Sequence, residues 1–224
     1  MNENTANKTL RIFLTEFDEG LFGYDVQILS DAATVGDYLD AINAFQTDTM
    51  ADCIGCDGCC HERVPLTIAD FCFSRYYQQD NGDKLAVWLA EVADLQFFGE
   101  AVDLQIKHKP NGACYLLDEE RKCCSAHLHR TFACRTHCCL PRSERADALR
   151  GVIINSAEDD LVRRLLLELA ADGKSDFIEG ESRLQAANPD DYINAFANRP
   201  PQDWAQTPLI ELTDGELWQE LLKD

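Results

Sequence analysis

The chain has 224 residues, of which 46% are hydrophobic, so one sizeable core is feasible. Its formal net charge of −20 argues against nucleic acid and anionic membranes as partners, because both are recognised by clustered Lys and Arg. A protein partner with a basic surface suits such a chain better. No run of about 18 apolar residues predicts a membrane span. The polar start lacks a secretory-signal pattern, so we expect a cytoplasmic protein.

The first fifty residues predict a small module made of a β-hairpin and a helix. Leu10–Phe17 and Tyr24–Leu29 have the apolar patterns of two strands, and Gly20 and nearby polar residues supply the turn between them. Thr34 is placed to cap a following helix with one apolar face. We therefore predict a first domain over residues 1–50.

Two further helices are expected in the middle of the chain. Thr67 followed by Asp70 has the spacing of a capping box and predicts a helix start. The stretch from Asp83 to Phe98 repeats apolar residues at helical spacing, and Gly99 is expected to end that helix.

The C-terminal part is predicted to be an acidic helical extension over residues 151–224. Gly151–Asn155 has the pattern of a short strand, and Asp160–Ala171 that of a helix. Two short helices are expected in the proline-rich tail, Asp190–Ala197 and Asp214–Leu222, the second capped by Thr213. The whole chain is thus predicted to be α+β and helix-rich.

Cysteine usage carries the main functional signal. The chain has eleven cysteines, all between Cys53 and Cys139, and in a reducing cytosol such clustering indicates metal ligation rather than disulfides. The first group is Cys53, Cys56, Cys59 and Cys60, in which the first three have the C-x2-C-x2-C spacing of ferredoxin loops. A metal-free, thiol-rich loop is the alternative, but it would oxidise readily.

A second cysteine group follows within residues 108–150. Its members are Cys114, Cys123, Cys124, Cys134, Cys138 and Cys139. Residues 121–150 also form a basic island, with seven Lys and Arg against two Asp and Glu in an otherwise acidic chain. Cationic side chains there would offset thiolate charge. Cys72 stands between two phenylalanines and is interpreted as an ordinary buried residue.

The ordered set of motifs over residues 53–140 resembles the YkgJ-type cysteine-cluster family, a CxxCxxCC zinc- or iron-chelating domain. The opening motif is present as Cys53 to Cys60, and a Cys followed by an apolar pair matches Cys114. The last family element is a Cys with an Arg-Pro six positions later and a Cys-Arg ten positions later. It matches Cys124, Arg130 and Cys134, although Thr131 replaces the Pro. The resemblance implies metal binding and a metal-binding domain over residues 51–150.

Spacing and resemblance together predict the metal ligands Cys53, Cys56, Cys59, Cys60, Cys114, Cys124, Cys134 and Cys138. Whether Cys123, Cys139 or any histidine also binds metal stays open. Arg135 directly follows a predicted ligand, so its guanidinium is expected to bind the centre, the alternative being an ordinary surface ion pair.

Sulfur ligation by itself suits both an iron–sulfur cluster and zinc. Some flagellin lysine methylases carry a similar cysteine cluster, thought to be iron–sulfur, and this resemblance favours the cluster. We therefore expect an accessory or redox protein. A zinc-stapled interaction module and an iron–sulfur enzyme of redox or methyl-transfer chemistry are the alternatives, although the chain has no phosphate-binding loop or nucleophile elbow.

Overall fold

The N-terminal hairpin and helix form as the sequence predicts. A computed structural model describes residues 8–17, 20–50, 55–78, 84–98, 101–172 and 187–224. Strands β1 (Leu10–Glu16) and β2 (Phe22–Ile28) pair antiparallel and bury one apolar face. Gly23 is required where the hairpin meets the segment after the second cysteine group, because a Cβ there would lie 2.4 Å from the Pro141 carbonyl oxygen. The hairpin is thereby held against that segment.

Helix α1 (Val35–Thr49) begins at a reciprocal cap. The Thr34 hydroxyl accepts from the Asp37 amide at 3.2 Å, and the Asp37 carboxylate accepts from the Thr34 amide at 3.0 Å. The buried face of α1 carries Val35, Tyr38, Leu39, Ile42 and Phe45.

Helix α2 (Ile68–Phe73) has the predicted Thr67–Asp70 capping box. The single turn α3 (Arg75–Gln78) follows it.

The predicted helix from Asp83 to Phe98 is correct only in its first part. Helix α4 (Lys84–Val92) continues directly into strand β3 (Ala93–Phe98), which pairs antiparallel with β4 (Ala101–Ile106). Pairing with a neighbouring strand outweighs the helical periodicity, since alternation of Leu95 and Phe97 with polar residues also suits a strand. Asp83 and Gly99 lie outside the described residues.

Strand β4 is tied to the segment that leaves the first cysteine group. The Leu66 amide donates to the Leu104 carbonyl at 2.8 Å, and the Ile106 amide donates to the Val64 carbonyl at 2.9 Å. Residues 64–66 therefore lie along β4 like a short added strand. A two-residue pair, β5 (Leu117–Asp118) and β6 (Cys123–Cys124), and the single turn α5 (Phe132–Arg135) complete the cysteine-rich part.

Helix α6 (Glu144–Asp172) is far longer than the predicted one and includes the stretch predicted as a strand at residues 151–155. That strand prediction is wrong because every fourth residue is buried, which fits a helix face. The buried series is Leu149, Ile153, Ala157, Leu161 and Leu165, each at most 2% exposed. This series outweighs the local strand preference of the apolar run Val152–Ile154.

The C-terminal part closes over this core. Helix α7 (Gly215–Leu222) is present as predicted, but Asp214 rather than Thr213 caps it, its carboxylate accepting from the Leu217 amide at 2.8 Å. The predicted helix at residues 190–197 is reduced to a 3-10 turn, Pro189–Tyr192. Four other 3-10 turns are described: Gly58–His61, His127–His129, Pro201–Gln206 and Leu209–Glu211.

The α+β, helix-rich fold class is confirmed, with the hairpin and then the helix at the N-terminal end. One hydrophobic cluster contains buried residues from all three segments that were predicted as domains, and α6 runs across the expected boundary at residues 150 and 151. None of the described helices is both long enough and apolar enough to cross a membrane.

Candidate metal centre

The first cysteine group is folded into a tight turn and joined to the second. Gly55 adopts a φ of +84°, a left-handed conformation that glycine tolerates without steric cost, and its amide donates to the Lys122 carbonyl at 3.0 Å. Cys59 and Cys60 lie in the 3-10 turn that follows. The Cys114 amide donates to the Cys60 carbonyl at 2.7 Å. Backbone hydrogen bonds therefore bring residues 55–60 against residues 114–122.

The β5–β6 pair decides which of two adjacent cysteines faces the first group. Cys124 lies opposite Leu117 in the register, and Cys123 lies opposite Asp118. Adjacent residues of a strand point to opposite sides, and only Cys124 lines the cavity described below. This alternation agrees with the choice of Cys124 that the family resemblance suggested.

Helix α5 carries Cys134 and is held at both ends. The Phe132 amide, in its first turn, donates to the Asp70 carboxylate of α2 at 2.7 Å. Arg150 of α6 donates to the Ala133 carbonyl at 3.0 Å. A cation beside the carbonyls at the end of a helix is favourable, so Arg150 of α6 holds the turn that carries Cys134.

These contacts place both cysteine groups around one cavity of about 520 Å³. Helices α1 and α6 and the segment at residues 62–65 supply its other walls. The cavity is lined by seven described cysteines: Cys56, Cys59, Cys60, Cys114, Cys124, Cys134 and Cys139. Of the eight predicted ligands, the fold thus gathers six.

Burial makes these thiols hard to ionise in the metal-free protein. Burial first, and then the neighbouring thiols of Cys59, Cys114 and Cys124, raise the pKa of Cys60 to about 12. Burial likewise raises the pKa of Cys134 to about 11. A bound cation reverses this preference because thiolate is the form that binds metal, so binding would release protons.

Within the ranges that the structure describes, no three His, Cys, Asp or Glu side chains form a group that could hold a metal ion in their present positions. No disulfide joins two of the described cysteines. The described cysteines therefore line the cavity without converging on one point. Cys53 lies outside the described residues.

Two cysteines are placed differently from what the sequence suggests. Cys138, a predicted ligand, is 1% exposed, donates to the Met50 sulfur at 3.2 Å and does not line the cavity. Cys139, which the sequence left open, lines it. Cys72 packs against the hydrophobic core away from the cavity, as expected for an ordinary buried residue.

Arg135 does not reach the cysteine cavity. Its guanidinium lies 5.6 Å from the centre of the Phe73 ring, and with Trp204 it lines a separate shallow pocket. The sequence argument singled out Arg135 because of its neighbour in the chain, but Arg130 and Arg150 are the arginines of the basic island that line the cavity. The positive charge of that island was the signal for them.

Two histidines, His127 and His137, also line the cavity. His127 lies at the exposed rim, whereas His137 is half-buried, and burial lowers its pKa. Neutral imidazole is the form that binds metals, so His137 has the right protonation state for a ligand.

No family model, curated protein or solved structure matches this chain.

Proposed function

We propose that this chain is a metal-binding protein whose cysteine cavity holds an iron–sulfur centre, and that it acts as an accessory or redox protein. One observation carries the proposal: seven cysteines from two distant parts of the chain line a single cavity of about 520 Å³. A structural zinc ion uses four ligands in a closed tetrahedron. Both the number of thiols and the size of the cavity exceed what one zinc ion needs, which favours a cluster of several metal atoms.

The residues best placed to hold the centre are those whose thiols influence one another electrostatically. They are Cys59, Cys60, Cys114, Cys124 and Cys134. An iron–sulfur cluster bound there supplies one-electron transfer at a potential set by burial and nearby charge. The protein's own contribution is to fix the thiols on short turns and on α5.

The family resemblance supports metal binding and leaves the metal open. Unpaired cysteines stay reduced in the cytoplasm, and on that basis the proposal places the protein there. The net charge of −20 supports a partner with a basic surface.

Anaerobic expression with iron in excess, followed by metal analysis, tests the proposal. The purified protein should be brown, should absorb in the visible range and should contain iron and acid-labile sulfide. Stoichiometric zinc without iron would refute the cluster and favour a zinc-stapled module. Protein that retains no metal under these conditions would refute the metal site altogether.

Four alanine variants separate the ligand set suggested by the structure from that of the sequence. Cys60→Ala and Cys134→Ala should each strongly reduce iron per chain, because both thiols line the one cavity. Cys138→Ala and the core control Cys72→Ala should leave the iron content nearly unchanged, because neither thiol lines it. Loss of iron in Cys138→Ala with retention in Cys60→Ala would contradict this ligand set.

A further inference from the structure

One wall of the cysteine cavity is positively charged, and no carboxylate among the described residues pairs with its two arginines. Arg130 and Arg150 line this wall, and neither is within ion-pair distance of an Asp or Glu among the described residues. The Nε of Arg130 is buried and has no hydrogen-bond partner in that part of the chain. Arg63 also lines the cavity, but it pairs with two carboxylates. The Arg130 guanidinium therefore has unused donor capacity.

Arg150 is fixed in this wall by its own structural contacts. Its Nε donates to the Thr136 carbonyl at 3.2 Å and an Nη donates to the Ala133 carbonyl at 3.0 Å. Neutral carbonyls do not cancel its charge. Its positive charge therefore stays on this wall of the cavity.

The remaining walls suit the body of a small organic molecule. Val64, Ile154 and Met50 supply apolar surface, and Asn43 and Asn155 supply amide groups. The volume of about 520 Å³ is within the usual range of small-molecule sites. The rim contains exposed residues, among them Thr47, Glu62 and His127, so the cavity opens to solvent.

We propose that this cavity binds a small organic anion, a carboxylate or a phosphate monoester, beside the cysteine centre. Arg130 holds the anionic group, since a guanidinium with free donors matches both oxyanions in geometry and charge. Arg150 adds charge from a fixed position. The apolar walls contact the organic part. The inference deepens the proposed function by naming its ligand class, and it rests on that function only for the role of the neighbouring centre.

The competing explanation is that these guanidinium groups only offset the charge of the thiolates. The two explanations predict different losses when Arg130 is changed. If Arg130 binds an anion, the variant protein should bind the anion more weakly and keep its iron. If Arg130 only offsets thiolate charge, the variant protein should lose iron. Arg142→Gln is the matched control, because Arg142 belongs to the same basic island but does not line the cavity and pairs with Asp147.

The test uses the full chain with its iron content measured, and isothermal titration with butyrate, with inorganic phosphate and with neutral butyramide. Wild type should bind at least one anion and not butyramide, and the stronger of the two anions identifies the group. Arg130→Gln should weaken that binding at least about tenfold, and Arg142→Gln much less, with iron per chain and melting temperature close to wild type in both.

Iron-loaded wild-type protein that binds neither anion overturns the anion site and leaves the metal proposal standing. Parallel loss of iron in Arg130→Gln also overturns it, in favour of charge compensation. In a further outcome, the protein retains no metal after anaerobic expression with iron in excess and still binds anions through Arg130. This result supports the anion site and refutes the metal centre. If Arg130→Gln fails to fold, Arg130→Lys is the second variant. Lysine keeps the positive charge but lacks the planar guanidinium that donates two parallel hydrogen bonds. Unchanged affinity of Arg130→Lys for the anion would therefore overturn the assigned geometry.

Discussion

Replacing Asp70 by Asn perturbs the junction between α2 and the cysteine-bearing helix α5. One carboxylate oxygen of Asp70 accepts from the Thr67 amide at 2.9 Å and from its hydroxyl at 2.8 Å, and the other accepts from the Phe132 amide at 2.7 Å. Burial raises the pKa of Asp70 from 3.8 to about 6, although these hydrogen bonds lower it. Asn keeps the size of the side chain but exchanges one acceptor for a donor and does not titrate.

The sign of the pH effect follows from the raised pKa. The folded state holds the Asp70 proton more tightly than the unfolded state, so this group lowers the unfolding free energy as the pH rises from about 4 to about 6. A rise from 3.8 to about 6 corresponds to roughly 3 kcal/mol at most. The stability advantage of wild type over Asp70→Asn should therefore shrink by up to about 3 kcal/mol between pH 4 and pH 7.

Urea unfolding of both proteins at pH 4, 5, 6 and 7 measures this difference. Asp37→Asn is the control, because Asp37 occupies the same capping position at the start of α1. A wild-type advantage over Asp70→Asn that is constant with pH would refute the reasoning. The same decline in Asp37→Asn would show that burial of Asp70 is not its cause.

Two further predictions concern the closure of the fold and its core. Arg145→Gln removes a guanidinium that pairs with Asp25 and donates to carbonyls at the end of α7. The substitution should cost about 2 kcal/mol of unfolding free energy and speed proteolysis near the C-terminus. Unchanged protection of the C-terminus from proteolysis would contradict this. Leu104→Ala, at a fully buried position of β4, should cost about 2–5 kcal/mol in urea unfolding, and the exposed control Leu14→Ala less than about 0.5 kcal/mol. Equal losses would show that burial does not set the cost.

Elements that depend on neighbouring residues were predictable from the sequence. The hairpin of β1 and β2 and the helix starts at Thr34 and Thr67 each follow from an apolar pattern or a cap within a few residues. The same holds for the packing of Cys72 against the core, which its apolar neighbours indicated.

Elements that depend on distant partners were not predictable. Residues 93–98 have a pattern compatible with either state, and the presence of β4 to pair with them decides for a strand. Residues 151–155 favour a strand locally, but the burial of Leu149, Ile153 and Ala157 along one face makes them part of α6. Local preferences amount to fractions of a kcal/mol per residue, whereas burying a large apolar side chain contributes about 1.5–3 kcal/mol.

The sequence by itself determined that this chain has two dense cysteine groups, a basic island around the second and the local signals for its first helices. Only the tertiary structure decided that both groups line one cavity, that Cys139 belongs to its lining, and that Cys138 packs against Met50 instead. It also assigned Arg130 and Arg150 to that cavity and Arg135 to a separate pocket beside Phe73. The reason is that a side chain's direction depends on strand register and on the contacts between helices, which join residues far apart in the chain and leave no trace in local spacing.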